Sequence, residues 1–215
     1  VGLNIMQASL RSDEELLDLS SVISHWDCVD VVYFADSLGS MDSSDVTRVY
    51  CALRENWKKD IGFHAHNNMG QAISNTMTAI ELGCNWFDCT VTGMGRGAGN
   101  AETEYLLLEP KIRKPMQKLD SLFGLTVPHF EVMKKSYGWG ASVPYYIGAL
   151  KSIHPTYVQE LCADNSVKSL LLPSILNDLG NTSTPHVFSE TILESVKSKV
   201  DIHDKDIEGV QTPQV

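Results

Sequence analysis

Two histidines separated by a single residue, His64 and His66, are the side chains in this sequence best placed to do chemistry. A short apolar run, Ile61-Gly62-Phe63, precedes them and predicts a strand that ends at the pair. Side chains two residues apart on a strand point to the same face, so both imidazoles should project toward one point. Neutral imidazole is a common ligand of divalent metal ions, with carboxylate or carbonyl oxygens as partners. The alternative is a pair of ordinary histidines, one packed and one exposed.

The elements that must position these histidines alternate between strand and helix over the first 110 residues. Strands are predicted at 1–8, 29–34, 61–66 and 86–91, and helices at 12–26, 43–57, 70–82 and 101–108. Four consecutive βα units indicate a parallel sheet with right-handed crossovers. Polar residues follow each strand, at 7–9, 36–37, 64–68 and in a glycine-rich loop at 92–100. Strand ends of this kind are where barrel and open α/β enzymes keep their chemistry.

The pattern changes after Pro110, where a basic segment from Lys111 to Lys118 contains Pro115. The rest predicts helices at 128–137, 143–153, 155–161, 167–177 and 187–200, with no alternating strand. We therefore expect an α/β segment at 1–112, a helical segment at 113–200 and a tail at 201–215.

Composition excludes several classes of function. The net charge of -10 argues against nucleic-acid binding, because phosphates need a basic patch. The apolar runs are far too short for a membrane span. The five cysteines are scattered without a CxxC motif, which predicts reduced, mostly buried thiols in a reducing cytoplasm.

Two segments resemble the metal-dependent TIM-barrel aldolase and lyase superfamily, whose members include 4-hydroxy-2-oxovalerate aldolase, hydroxymethylglutaryl-CoA lyase and the isopropylmalate synthases. They are 64–72 together with Asn75, and the glycine-rich stretch 93–102. The segment Asp36-Ser37-Leu38-Gly39 resembles the loop after the fifth strand of that family. The resemblance extends over residues 1 to about 110 and is nearest to the oxovalerate aldolase branch.

The resemblance implies an α/β fold that is a partial (β/α)8 TIM barrel, with about four C-terminal βα units followed by a helical segment. The family's Asp metal ligand lies in a motif close to Asp-x-Thr-x-Arg-Asp-Gly, and nothing in this sequence matches it. Eight strands are needed to close the barrel. We therefore expect either a fragment that lacks an N-terminal half, or a homo-oligomer whose contacts cover the gap.

The function that the resemblance implies is divalent-metal-dependent aldol cleavage or condensation of a 2-oxo acid through a pyruvate enolate. The implied cofactor is Mn²⁺ or Mg²⁺, held by His64, His66 and Asn100. Asn100 has the alternative of capping the helix that follows it. The general acid–base group is not located, and three tyrosines of the helical segment are candidates: Tyr145, Tyr146 and Tyr157. Two other functions stay open, an acyl-CoA-dependent condensing enzyme of the isopropylmalate synthase type and a catalytically silent assembly module.

Five residues are expected to bind the substrate: Asp36, Ser37, Asn68, Gly95 and Arg96. Three of them carry an alternative. Asp36 could instead bind a ligand histidine or form a turn, and Arg96 could be an ordinary surface arginine. Gly95 belongs to a loop whose N–H groups could approach an anion, or which could simply be a tight connection.

Overall fold

The computed structural model describes residues 1–112 and 119–207. The chain divides into two compact units, Val1–Ser142 and Val143–Val215. The predicted division after residue 112 stays a prediction, and the proposed boundary at Pro115 lies outside the described residues.

The first unit is built on a four-stranded parallel sheet in the order β1-β2-β3-β4. The strands are β1 Gly2–Ile5, β2 Val31–Asp36, β3 Asp60–Ala65 and β4 Trp86–Asp88. The helices between and after them are α1 Asp13–Ile23, α2 Ser43–Asn56, α3 Ala72–Leu82 and α4 Thr103–Leu108. Further helical segments are α5 Asp120–Leu125, a π-helical turn Thr126–Phe130 and α6 Glu131–Tyr137. The expected succession of four βα units is confirmed.

The second unit contains four longer helices. They are α7 Val143–Leu150, α8 Pro155–Ala163, α9 Leu172–Gly180 and α10 Glu190–Ile207. Helix α10 continues through the first seven residues of the predicted tail, while residues 208–215 lie outside the described part. No helix among residues 1–112 and 119–207 combines the length and apolarity needed to cross a bilayer.

Local sequence signals fix where the helices of the first unit begin and end. Ser12 and Glu15 form a capping box at the start of α1, and Asp42 and Asp45 form another at the start of α2. Helix α3 ends at Gly83, whose φ of 110° a residue with a side chain rarely adopts. These signals place the starts of α1 and α2 a few residues after the ends of β1 and β2, and the end of α3 shortly before β4.

The two faces of the sheet differ sharply in composition. Phe34 and Phe63 are fully buried on the helix-covered face, with ring centroids 4.8 Å apart. The opposite face carries Tyr33, Gly62 and His64, because successive side chains of a strand alternate. A Cβ at position 62 would lie only 2.6 Å from the Tyr33 ring, so the tyrosine lies directly over the glycine backbone.

Helix α3 encloses its small side chains more completely than its large apolar ones. Its apolar spacing predicts that Ile73, Met77 and Ile80 point inward; all three are half-buried, and Ile73 and Met77 pack against the core. The fully enclosed positions carry small or polar side chains instead: Ala72, Asn75, Thr76 and Ala79. Small residues allow the helix to approach β3 and α2 closely, and this outweighs the burial of larger side chains.

Three other expectations need correction. Strand β1 ends at Ile5 because Gln7 adopts a left-handed conformation with φ of 52°. Strand β4 ends at Asp88, so Cys89 lies just beyond the strand and is half-buried. The expectation of mostly buried cysteines is wrong, since three of the five free thiols are exposed: Cys28, Cys51 and Cys162.

Candidate active site

The candidate site lies at the carboxyl ends of β2, β3 and β4. In the parallel register, Ala35 pairs with His64, and His64 pairs with Asp88 on the next strand. His66 follows two residues after His64, beyond the end of β3. The strand register therefore brings a carboxylate of β4 beside the histidine pair of β3.

The two imidazoles converge as the strand periodicity predicts. Their Nε2 atoms are 3.3 Å apart, and the rings meet edge to face with centroids 4.9 Å apart. The Nδ1 atom of His64 lies 3.0 Å from a carboxylate oxygen of Asp88. The Nδ1 atom of His66 lies 3.0 Å from the main-chain carbonyl oxygen of Asp36.

These partners determine which ring nitrogens carry protons. A carbonyl or carboxylate oxygen can only accept, so each Nδ1 donates its N–H. In neutral rings both Nε2 atoms then carry lone pairs, and the two lone pairs face each other. Such an arrangement is repulsive unless a positive charge lies between them, either a proton on His64 or a metal ion.

Burial keeps His66 neutral. Removal from water lowers the pKa of His66 to about 4, and the positive charges of His64 and Arg96 act in the same direction. Hydrogen bonds to the main chain of Asp36 and Ser37 oppose this shift only in part. At neutral pH the ring therefore has an unprotonated Nε2 available as a ligand.

The spacing of the two Nε2 atoms fits a shared cation. Two nitrogen ligands at about 2.1 Å from one ion are about 3.0 Å apart in adjacent octahedral positions and about 3.4 Å apart in a tetrahedron. The observed separation of 3.3 Å lies between these values. Among the described residues, no group of three or more His, Cys, Asp or Glu side chains is arranged to hold a metal. Further ligands would have to be amide or carbonyl groups, water, substrate or residues beyond this set.

The glycine-rich loop after β4 is joined to the end of β3 by main-chain bonds. His66 and Asn100 form an isolated antiparallel bridge. On either side of it, the Asn67 N–H donates to the Gly99 carbonyl and the Ala101 N–H donates to the Ala65 carbonyl. Paired residues of an antiparallel bridge present their side chains on the same side. Asn100 is therefore the amide side chain placed next to His66.

Asn100 does not cap the following helix. Helix α4 has Glu102 as its N-cap, while the Asn100 side-chain amide donates to the Met94 carbonyl at 3.2 Å. This bond uses the nitrogen of the amide and leaves the oxygen as the atom suited to a cation.

The glycines of the loop serve close packing. Gly93, Gly97 and Gly99 have positive φ values of 66°, 60° and 79°. A Cβ on Gly99 would lie 2.2 Å from the Gly93 carbonyl oxygen, and one on Gly95 would lie 2.7 Å from the Asn100 side chain. These contacts support the tight-connection interpretation of the loop. Arg96 is exposed, yet its charge acts on His66.

The Asp36 carboxylate faces its own turn rather than the histidines. It is buried and accepts hydrogen bonds from the main-chain N–H groups of Ser40 and Met41, at 2.9 and 3.2 Å. Burial raises the pKa of Asp36 to about 6, although these two bonds lower it. Both alternatives for Asp36 thus hold in part, because its carbonyl contacts His66 while its carboxylate forms the turn. The neighbouring Ser37 hydroxyl accepts from the Gln7 N–H at 2.8 Å.

Asn68 and Asn75 support the loops around the site. Asn68 is buried against Gly39, where a Cβ would lie 2.3 Å from the Asn68 side-chain oxygen. Asn75 donates to the Met41 carbonyl at 2.7 Å and so holds the turn that Asp36 also binds.

The part of the chain that carries this site matches a known protein family. The sequence model of the HMGL-like family matches residues 1–123, more than half of the chain. The chain belongs to the HMGL-like family. It is 43% identical over 102 residues to the 4-hydroxy-2-oxovalerate aldolase of Thermomicrobium roseum, a match that covers 47% of this chain and 28% of that relative. The chain therefore spans less than a third of the length of the curated relatives it matches.

Solved structures agree on the fold of this HMGL-like chain. The N-terminal domain of a protein assigned as an aldolase from Bacteroides vulgatus has a TM-score of 0.67 at 28% identity, over 78% of this chain and 56% of that one. The HMG-CoA lyase of Bacillus subtilis has a TM-score of 0.53 at 22% identity, over 65% and 50%. The expected fold, part of a TIM barrel, is confirmed.

Two residues at the site of this HMGL-like chain escaped the sequence analysis. Asp88 binds His64, and the Tyr33 hydroxyl bonds to Asp88. Burial raises the pKa of Tyr33 to about 12, and the negative charge and hydrogen bond of Asp88 add to the shift. The available signal was the polar residue in the short run Trp86-Phe87-Asp88, whose last position pairs with His64 once the register is known.

One of the three candidate tyrosines has a structural role within the second unit rather than a role in acid–base chemistry. Tyr157 is fully buried; its hydroxyl donates to the Val187 carbonyl and accepts from the Ser189 N–H. Both hydrogen-bonding roles of this hydroxyl are thereby used within the helical unit.

Proposed function

We propose that this chain carries the metal-binding half of a divalent-metal-dependent aldolase that cleaves or forms a carbon–carbon bond in a 2-oxo acid of the 4-hydroxy-2-oxovalerate type. The observation that carries the proposal is the 3.3 Å approach of the Nε2 atoms of His64 and His66. Each ring is held by an acceptor on its other nitrogen. The relative named 4-hydroxy-2-oxovalerate aldolase supports the reaction class.

Three side chains would hold the ion. His64 and His66 would contribute Nε2, and Asn100, bridged to His66, would contribute its amide oxygen. Mixed nitrogen and oxygen ligands suit Mn²⁺ or Mg²⁺. When bound, the cation supplies Lewis-acid stabilisation of the negative charge left when the carbon–carbon bond breaks.

Neighbouring residues would orient the ligands and the substrate. Asp88 and the Asp36 carbonyl fix the tautomers of the two histidines, so neither ring has to reorganise. Arg96, whose charge reaches His66, would pair with the carboxylate of the 2-oxo acid. Ser37, Asn68 and Gly95 would shape the wall around it.

The remaining ligand and the compartment are part of the proposal. The carboxylate ligand implied by the family resemblance would come from residues beyond this chain segment or from a neighbouring subunit. Five unpaired cysteines support a reducing compartment, the cytoplasm.

Titration with Mn²⁺ by calorimetry tests the proposal directly. We expect one site in the wild type, and a loss of affinity in His64→Ala and His66→Ala larger than the roughly 10- to 100-fold typical of losing an outer-shell partner. His25→Ala is the matched control, because this exposed histidine is bonded within its own helix end and should leave binding unchanged. An unchanged titration in both site variants would refute the metal centre.

Activity is measured with the polypeptide that supplies the rest of the barrel present. Pyruvate released from 4-hydroxy-2-oxovalerate is followed with lactate dehydrogenase and NADH. Release that depends on Mn²⁺ and disappears in His66→Ala supports the aldolase. Acetyl-CoA consumption without pyruvate release would point to the condensing branch.

A further inference from the structure

Thr92 occupies an unusual conformation in the glycine-rich loop. Its φ of 54° and ψ of 22° lie in the left-handed region, and the residue is 2% exposed. A β-branched residue with positive φ is a genuine outlier, because its Cβ crowds the backbone. Such strain persists only where surrounding contacts enforce it.

Two side chains hold Thr92 from opposite sides. The Glu104 carboxylate, itself buried, accepts a hydrogen bond from the Thr92 N–H at 3.0 Å. The Trp139 indole donates its Nε1–H to the Thr92 carbonyl at 3.0 Å. The main-chain N–H and the main-chain carbonyl of Thr92, on either side of its strained Cα, are thus both bonded. We refer to Glu104 and Trp139 as the Thr92 clamp.

The residue after Trp139 reinforces the same contact. The Gly140 N–H donates to the Gly97 carbonyl at 3.0 Å, and the Trp139 ring lies 3.7 Å from the position of a Cβ on Gly99. The segment that follows α6 therefore binds both arms of the glycine-rich loop.

The conformation of Thr92 controls where Asn100 lies. The next residue, Gly93, accepts the Asn100 N–H on its carbonyl at 3.0 Å. Asn100 in turn forms the bridge to His66. A rotation at Thr92 would move the Gly93 carbonyl, and with it the bond that presents Asn100 beside the histidine pair.

We infer that Glu104 and Trp139 are positioning residues that hold Thr92 in its left-handed conformation and thereby fix Asn100 next to His66. The consequence of this arrangement for metal binding rests on the proposed function. The claim that the two residues fix the loop conformation does not depend on metal binding, so the two claims are tested separately.

Amide hydrogen exchange of the full 215-residue chain, without metal, tests the conformational part. Trp139→Phe keeps an aromatic ring at this position and removes the indole N–H. We expect the Asn100 amide proton to exchange roughly 5- to 10-fold faster, the equivalent of one lost hydrogen bond. Trp57→Phe is the matched control, since it removes a similar indole-to-carbonyl bond of 2.7 Å to Asp60 at the other end of β3. This control should leave local exchange at Asn100 unchanged.

A second substitution separates positioning from packing. Glycine adopts positive φ without a steric penalty, so Thr92→Gly should restore most of the lost protection in the Trp139→Phe background and change little in the wild type. Glu104→Gln, which keeps an acceptor oxygen, should have a smaller effect than Glu104→Ala. Unchanged exchange in Trp139→Phe, or no recovery with Thr92→Gly, overturns the inference.

Mn²⁺ titration of the same variants then connects the clamp to the site. We expect affinity to fall about 5- to 10-fold in Trp139→Phe and to recover in the double variant. If His66→Ala leaves Mn²⁺ binding unchanged, the proposed metal centre fails while the exchange result still decides on the clamp. If His66→Ala abolishes binding and Trp139→Phe leaves both exchange and affinity unchanged, the clamp fails and the metal centre stands.

Discussion

Asp36 and His66 contact each other at neighbouring strand ends, and burial moves their pKa values in opposite directions. The pKa of Asp36 is raised from 3.8 to about 6, and that of His66 is lowered from 6.5 to about 4. Each pKa unit corresponds to about 1.4 kcal/mol of linked stability. Each residue therefore changes the free energy of unfolding by roughly 3 kcal/mol across the window from pH 4 to 6.5.

The two contributions have opposite signs. On acidification from pH 6.5 to 4, the unfolded state takes up a proton at His66 that the folded state does not, so stability falls. Over nearly the same window, the folded state takes up a proton at Asp36 before the unfolded state does, so stability rises. In the metal-free wild type these two effects should largely cancel.

Replacing either residue should reveal the contribution of the other to the pH dependence of stability. We expect His66→Asn, whose amide can still donate to the Asp36 carbonyl, to gain up to roughly 3 kcal/mol on acidification relative to the wild type. Asp36→Asn should lose up to roughly 3 kcal/mol over the same window. The measurement is urea unfolding in the presence of a chelator at pH 4, 5, 6 and 7, with every variant compared with the wild type at the same pH.

Subtracting the wild-type curve removes the contribution of the other carboxylates. If the stability of both variants varied with pH in parallel with that of the wild type, the reasoning would be refuted. Such curves would show that neither group has a different pKa in the folded and unfolded states. Curves that diverge in the opposite order would show that the assigned shifts have the wrong sign.

Two further predictions follow from contacts at the strand ends. Asp88→Asn removes the anion that orients His64, so Mn²⁺ affinity should fall about 10-fold or more in calorimetry, and an unchanged titration would show that Asp88 does not orient the ligand. Gly39→Ala should destabilise the chain by more than about 2 kcal/mol in urea unfolding, because its left-handed φ of 62° is combined with a clash against Asn68. Gly70→Ala is the control with a similar φ of 70° and open space around it, and should cost only about 1 kcal/mol; equal losses in the two variants would contradict the clash.

Much of the fold was predictable because local signals and global packing agree. The βα alternation and the capping box of Ser12 with Glu15 follow from local sequence rules, and the convergence of His64 with His66 follows from the two-residue repeat of a strand. The buried face of α3 was not predictable in this way. Ile73 and Met77 form the more apolar stripe, but close approach to the sheet selected the small residues beside them.

The hydrogen-bond partners of the histidines could not be predicted from the sequence, for a different reason. The bond between Asp88 and His64 depends on the register of β4, and the bond between Trp139 and Thr92 joins residues 47 positions apart. Asp36 lies at the end of β2, where the sequence pattern puts it, but no sequence pattern states that its main-chain carbonyl, rather than its carboxylate, meets His66.

The Tyr33 ring lies over Gly62, so the side chains allowed at these two positions on neighbouring strands depend on each other. The φ of residue 62 is not among the positive values, so its backbone conformation does not require glycine; the volume occupied by Tyr33 is what excludes a side chain. An alanine at 62 would displace the ring whose hydroxyl holds Asp88, and would loosen His64 from a distance. Substitutions at the two positions should therefore be tolerated only together, with a smaller residue at 33 making room for a larger one at 62.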